Sequence, residues 1–144
     1  MKTTVITGAN SGMGFETAKQ LASEGHHVLM LCRNKAKGEK AIQKILETDP
    51  NAKLTLLLAD ISSLNSIQTV VTTIKNDYES IDVLINNAGV LMDEHALTED
   101  GLEQMMGVNY FGLVYLTDQL VPLLKMQQRV ELLMSVRLRI KGKS

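Results

Sequence analysis

The sequence predicts an α/β fold built on a doubly wound parallel sheet, and three observations predict it. Short apolar runs bounded by Gly, Asp, Asn or Pro alternate with stretches whose apolar residues recur at helical spacing. A glycine-rich turn stands between the first run and the first helical stripe, where such sheets place their ligands. The chain has 144 residues, 44% hydrophobic and 22% charged, which suits one globular core and excludes disordered or collagen-like classes.

The elements follow in order. Strands are expected at Thr4–Thr7, His27–Cys32, Leu54–Ala59 and Val83–Asn86, each short and apolar on both faces, as strands covered by helices must be. Phe15, Ala18, Leu21 and Ala22 mark the first helix, and Ala41, Ile42, Ile45 and Leu46 the second, which stops before Asp49-Pro50. Leu64, Ile67, Val70, Val71 and Ile74 mark the third, with Ser62 or Ser63 as its N-cap. A fourth helix is expected from about Met106 to about Met126 across Pro122, and Val130–Val136 reads as a fifth strand, after which the fold is truncated. Residues 1–136 therefore form one incomplete domain and residues 137–144 a basic tail.

Charge and cysteine content narrow the setting. The net charge is −1, yet residues 129–144 set Arg129, Arg137, Arg139, Lys141 and Lys143 against Glu131 alone. Without interleaved aromatics this tail reads as a solvated terminus rather than a nucleic-acid or membrane contact. One cysteine, Cys32, excludes an internal disulfide, and the start of the chain is too short an apolar run for a signal peptide, so cytoplasm is expected. His26 and His27 are adjacent and His95 is remote in sequence, so no metal site is predicted. Met105, Met106, Met126 and Met134 read as packing residues.

The turn Thr7-Gly8-Ala9-Asn10-Ser11-Gly12-Met13-Gly14 carries the most chemistry. It lets backbone N–H groups approach a pyrophosphate with no Cβ in the way and starts a helix whose positive end faces that charge. Its spacing is not G-x-G-x-x-G, and the plain alternative is a strand-to-helix turn without a ligand. Dinucleotide domains usually place an acid after the second strand, for the adenosine ribose. Here the chain reads Leu31-Cys32-Arg33-Asn34, so a cation suited to a 2′-phosphate stands instead and NADP(H) is favoured over NAD(H), unless Arg33 is simply a solvated strand end. Asp60 either meets the adenine edge or caps the next helix.

The glycine turn, Asp60, Asn86-Asn87-Ala88-Gly89 and Asn109, in this order, resemble the short-chain dehydrogenase/reductase family. Leu31-Cys32-Arg33-Asn34, Lys37-Gly38-Glu39-Lys40-Ala41 and Val108-Asn109-Tyr110-Phe111-Gly112 are similar to its retinol-dehydrogenase-like branch. The resemblance implies a Rossmann fold that binds NADP. Gly8, Ser11, Gly12, Met13 and Gly14 would line the pyrophosphate and Arg33 the 2′-phosphate. Asp60 and Ile61 would meet the adenine, and Asn87, Ala88 and Gly89 the nicotinamide-side ribose. Asn109 would hold a water of the proton relay, and Ser135 would hydrogen-bond the carbonyl of a small carbonyl or alcohol substrate.

The sequence departs from the family in two places. Glu131 and Leu132 replace the usual apolar residue and asparagine before Ser135, and the chain after Val136 no longer resembles the family. The family's acid is a tyrosine with a lysine four residues later; here Tyr78, Tyr110 and Tyr115 are followed at that place by Asp82, Val114 and Gln119. Three readings follow: an NADP-dependent oxidoreductase of which this is the N-terminal portion, a cofactor-binding module without catalysis, or the remnant of a shifted reading frame. An open edge at the last strand predicts self-association.

Overall fold

The computed structural model describes residues 1–87, 112–124 and 133–134. In chain order these form β1 (Thr3–Thr7), α1 (Gly12–Ser23), β2 (His27–Cys32), α2 (Lys35–Thr48), β3 (Lys53–Leu58), α3 (Leu64–Asp77) and β4 (Val83–Asn86). A helix over residues 112–120 (α4), a 3-10 turn at Val121–Leu123 and β5 (Leu133–Met134) complete them. All strands pair in parallel, in the order β3-β2-β1-β4-β5. The chain winds outward from β1 to β3, returns to β4 on the other side of β1, and so places its topological switch point between β1 and β4.

Alternation along the strands supplies the two faces. Val5, Leu29 and Leu31 face one way and pack with Ile67, Val70 and Ile74 of α3 and Leu116 and Leu120 of α4. Ile6, Val28, Met30 and Cys32 face the other way, onto Ala18 and Ala22 of α1 and Ala41 and Ile45 of α2. Helices on both faces are what made the strands read as continuous apolar runs, and the doubly wound architecture is as the sequence predicts. Each fully buried aliphatic side chain, such as Ile6, Leu29 or Ile67, stabilises the fold by about 1.5–3 kcal/mol.

Three sequence expectations are corrected. α4 does not continue to Met126: the described helix ends at residue 120 and Val121–Leu123 turns as a 3-10 segment with Pro122 at its start. Proline has no N–H to donate, and its ring clashes with the carbonyl four residues back. The chain leaves in an extended conformation at Leu124, which bridges Ile81 while Ile81 N–H donates to Leu123 O at 2.9 Å. Leu64 is not part of the buried stripe; it opens α3 and is 59% exposed. Strand bounds shift by one residue at β1 and β3, and β5 is described only at Leu133–Met134 of the expected Val130–Val136. Residues 106–111, 125–126 and 137–144 of the expected fourth helix and tail lie outside the described residues.

At the opposite edge from the switch point, polar side chains tie the strand starts together. Thr3 N–H donates to Asp82 Oδ2 at 2.7 Å, and Asp82 N–H returns to Thr3 O at 2.8 Å. His27 pairs through Nε2 with Thr55 Oγ1 at 2.7 Å and meets Tyr78 edge-on, with centroids 5.7 Å apart. Desolvation, with Lys53 adding to it, lowers the His27 pKa. The folded state therefore takes up this proton less readily than the unfolded chain. Stability from the neutral ring is full above the ordinary histidine value of about 6.5 and declines as pH falls through that value toward the lowered one. Urea unfolding at several pH values should show His27→Gln with a shallower acid-side loss than the parent chain; parallel curves would remove His27 from the account.

Candidate functional site

The carboxyl ends of β1, β2, β3 and β4 converge where the sheet reverses order. β1 hands over to the loop at Gly8, whose N–H donates to Leu31 O at 3.0 Å, extending the β1–β2 ladder by one bond. Gly8 has φ +61° and Gly12 φ +59°, the left-handed region that glycine enters without a Cβ penalty. The two differ in surroundings. A Cβ on Gly8 would lie 2.5 Å from Asn87 O, whereas one on Gly12 would meet nothing within 4 Å and project into open space. A Cβ on Gly14 would overlap Gly8 O and the Asn87 side-chain nitrogen. Gly8 and Gly14 thus let the loop close against β4, and Gly12 leaves the approach to α1 clear.

α1 begins at this clearing with its donors available. Ser11 is the N-cap in extended conformation, its hydroxyl makes no capping bond, and the first turn has no acid. First-turn N–H groups and the positive end of the helix dipole are left for an anion. Met13 is exposed beside them. From β4, Asn87 N–H donates to Thr7 Oγ1 at 2.8 Å and Asn87 Nδ2 reaches Gly8 O at 3.4 Å, so this asparagine holds the loop.

Next to the loop lies a cleft of about 210 Å³ formed by Gly8, Asn10, Arg33, Asp60, Ile61 and Ser62 among others. Arg33 follows β2 directly, is exposed, and makes no ion pair within 4.0 Å among the described residues. Asp60 follows β3, and its role is now fixed locally. Ser62 donates from Oγ (2.6 Å) and N (3.0 Å) to Asp60 Oδ1, and these bonds, with Arg33 nearby, hold the Asp60 carboxyl below its usual range. Asp60 does not cap α3. That role falls to Ser63, whose Oγ accepts from Ser66 N at 3.2 Å, while Ser66 Oγ accepts the Asp60 N–H at 2.8 Å. Ile61 is braced from α4, because Gly112 approaches its carbonyl so closely that a Cβ there would overlap it.

The structure thus brings together Gly8, Ser11, Gly12, Met13, Gly14 and Asn87 at the loop, and Arg33, Asp60 and Ile61 at the adjoining cleft. Ala88, Gly89, Asn109 and Ser135 lie outside the described residues. Several positioning roles escaped the sequence reading: those of Thr7, Ser66 and Gly112, and that of Asn86, whose Nδ2 donates to Thr117 Oγ1 at 2.7 Å and ties β4 to α4. Partners distant in sequence reveal all of them but Ser66, whose partner Asp60 is six residues away. Cys32 is buried behind the loop, and burial pushes its thiol up to about 11, against hydrogen bonds from the Ala9 and Asn10 backbone, so it is protonated and unreactive near neutrality. Among the described residues no cluster of three His, Cys, Asp or Glu is disposed to hold a metal ion, and no helix is long and apolar enough to cross a membrane.

The glycine-lined approach and the uncapped helix together fit the phosphates of a dinucleotide. Comparison with known proteins shows the family. The chain is 41% identical over 124 residues to a WW domain-containing oxidoreductase of Gallus gallus, covering 86% of this chain and 30% of that protein. It is 40% identical over 124 residues to retinol dehydrogenase 13 of Homo sapiens, covering 86% and 38%. The chain thus spans about a third of the length of these curated relatives. Among solved structures, menthone neomenthol reductase from Mentha piperita superposes with TM-score 0.74 at 26% identity, over 87% of this chain and 56% of that one. Actinorhodin polyketide ketoreductase, solved with NADPH, gives TM-score 0.71 at 25% identity, over 83% and 46%. A family model described as short chain dehydrogenase matches residues 2–133, ending just before Ser135. With nearly its whole length inside that match, the chain belongs to the short chain dehydrogenase family, whose members are oxidoreductases that use NAD(P).

Proposed function

We propose that this chain carries the NADP(H)-binding portion of an oxidoreductase that interconverts small carbonyl compounds and alcohols. The observation that carries the cofactor choice is Arg33, a cation at the end of β2, lining the cleft beside the glycine loop and without an ion-pair partner among the described residues. In this reading first-turn N–H groups of α1 and the open face of Gly12 receive the pyrophosphate, and Arg33 receives the 2′-phosphate. Ile61 and the Asp60–Ser62 turn bound the adenine, and the family resemblance implies that Asn87, Ala88 and Gly89 meet the nicotinamide-side ribose. NADP(H), when bound, supplies or accepts the hydride. Asn109 orients a water and Ser135 the carbonyl oxygen, as the family resemblance implies. Relatives named for retinol and polyprenol support the alcohol and carbonyl class.

A second reading is supported by one specific observation: the 144 residues contain no Tyr-x-x-x-Lys. By it the chain alone binds the cofactor without turnover. Both readings share the same binding test. Calorimetry should show NADPH bound at least about tenfold more tightly than NADH, the contribution of one charge-assisted phosphate contact. Arg33→Ala should remove that preference and leave NADH affinity unchanged. Equal affinities in the parent chain, or a preference that survives Arg33→Ala, would contradict the assignment.

A further inference from the structure

A second cavity, of about 640 Å³, lies between the first turn of α1 and one side of α2. Its α2 wall carries Lys37, Lys40 and Lys44, and its α1 wall carries Phe15 and one acid, Glu16. Cations three and four residues apart share a helix face, so these three lysines lie in a row spanning about 10 Å along the axis. Such like-charge neighbours destabilise a helix. The ion pair found among the described residues, Lys35 with Glu39 at 4.0 Å, is not part of this cavity, and neither Glu16 nor any other described acid lies within 4.0 Å of the three. All three are exposed. Where the row meets the loop, Asn10, Ser11 and Gly12 close the end of the groove, and the space in front of Gly12 is open.

A single phosphate matches one lysine; a row of three with one acid opposite matches a chain of phosphates. We infer that this groove is a binding site for a condensed phosphate, either free or as the phosphate chain of a nucleoside triphosphate, which adjoins the dinucleotide site at Asn10, Ser11 and Gly12. Lys40 and Lys44, one and two turns from Lys37, set the site's length and carry contacts that the dinucleotide reading does not use. Lysine on a mobile four-carbon stem suits an anion without fixed planar geometry, where an arginine fork would suit a carboxylate or one terminal phosphate. Phe15 and Ala41 give the groove an apolar floor on which a nucleoside would rest and a bare phosphate chain would not.

The test is a calorimetric titration of the 144-residue chain with sodium tripolyphosphate and, separately, with ATP. Lys40→Ala with Lys44→Ala keeps or raises helix propensity, so α2 remains folded. The expected result is saturable tripolyphosphate binding that this double variant weakens about tenfold or more, with NADPH affinity unchanged. Arg33→Ala should do the reverse. Equal binding of ATP and tripolyphosphate assigns recognition to the phosphate chain, and tighter ATP assigns the source to a nucleotide. Absent binding, binding indifferent to the double variant, or equal loss with Arg33→Ala would overturn the site. If NADPH fails to bind while tripolyphosphate shows the lysine dependence, the cofactor reading fails and this one stands.

Discussion

Gly14→Ala should lower the unfolding midpoint by roughly 10 °C and abolish measurable NADPH binding. Two effects compete at this position. Alanine in a helix is favoured over glycine by about 1 kcal/mol. Against that, the new Cβ would fall on Gly8 O and on the Asn87 side-chain nitrogen, two groups that belong to the same clasp between β1 and β4. The Asn87 amide is able to swing away, at the loss of its bond to Gly8 O, but the carbonyl belongs to a residue whose own N–H is fixed to Leu31 O. Overpacking of this kind costs about 1–3 kcal/mol and a lost hydrogen bond about 1 more, so the clash outweighs the propensity gain. Gly12→Ala is the control. Its Cβ meets nothing, and the left-handed backbone costs about 1–2 kcal/mol, so stability should fall less while binding is lost to occlusion of the phosphate approach. Thermal melts and NADPH titrations of both variants separate the two cases; equal melting losses would remove the distinction between closing glycine and clearing glycine.

The second large effect concerns turnover. The 144-residue chain is expected not to reduce aldehydes or ketones at a useful rate. A positioned general acid contributes about 10²–10⁴-fold, and none of the three tyrosines is followed by the lysine that would lower its pKa. Tyr78 packs edge-on against His27 at the start of β2, the opposite end of the sheet from the loop, and Tyr115 packs against the core on the α3–α4 face. Asn109 and Ser135 have no titration near neutrality and are restricted to orienting water and a carbonyl oxygen. On the proposed reading, turnover would draw its proton from a donor other than these three tyrosines.

How much of this was legible in the sequence depends on the range of the interactions. β1 to β4 were readable because strands covered on both faces must be apolar throughout, and α1 to α3 because each buries a single stripe. The glycine loop was readable because it sits at a strand-to-helix junction. What sequence left undecided was settled largely by local hydrogen bonds and backbone chemistry. Ser62 and Ser63 are equivalent as N-caps on paper, yet Ser62 is drawn to Asp60 and Ser63 to Ser66. Leu64 fits the helical period, but its place at the first position of α3 lifts it out of the core. Pro122 ended α4 where the apolar pattern ran on, a case of local backbone chemistry overriding periodicity. The lysine row of α2 reads as an ordinary solvated face until α1 is set opposite it.

One measurement bears most directly on the claim that this chain is a cofactor-binding portion lacking its own acid. NADPH is titrated into the purified chain while fluorescence and dihydronicotinamide absorbance are followed together, with a panel of aldehydes, ketones and retinoid-like carbonyls present. The account predicts a saturable fluorescence change with no loss of absorbance beyond the protein-free rate. No saturable binding, or sustained NADPH consumption that Ser135→Ala abolishes, would contradict it.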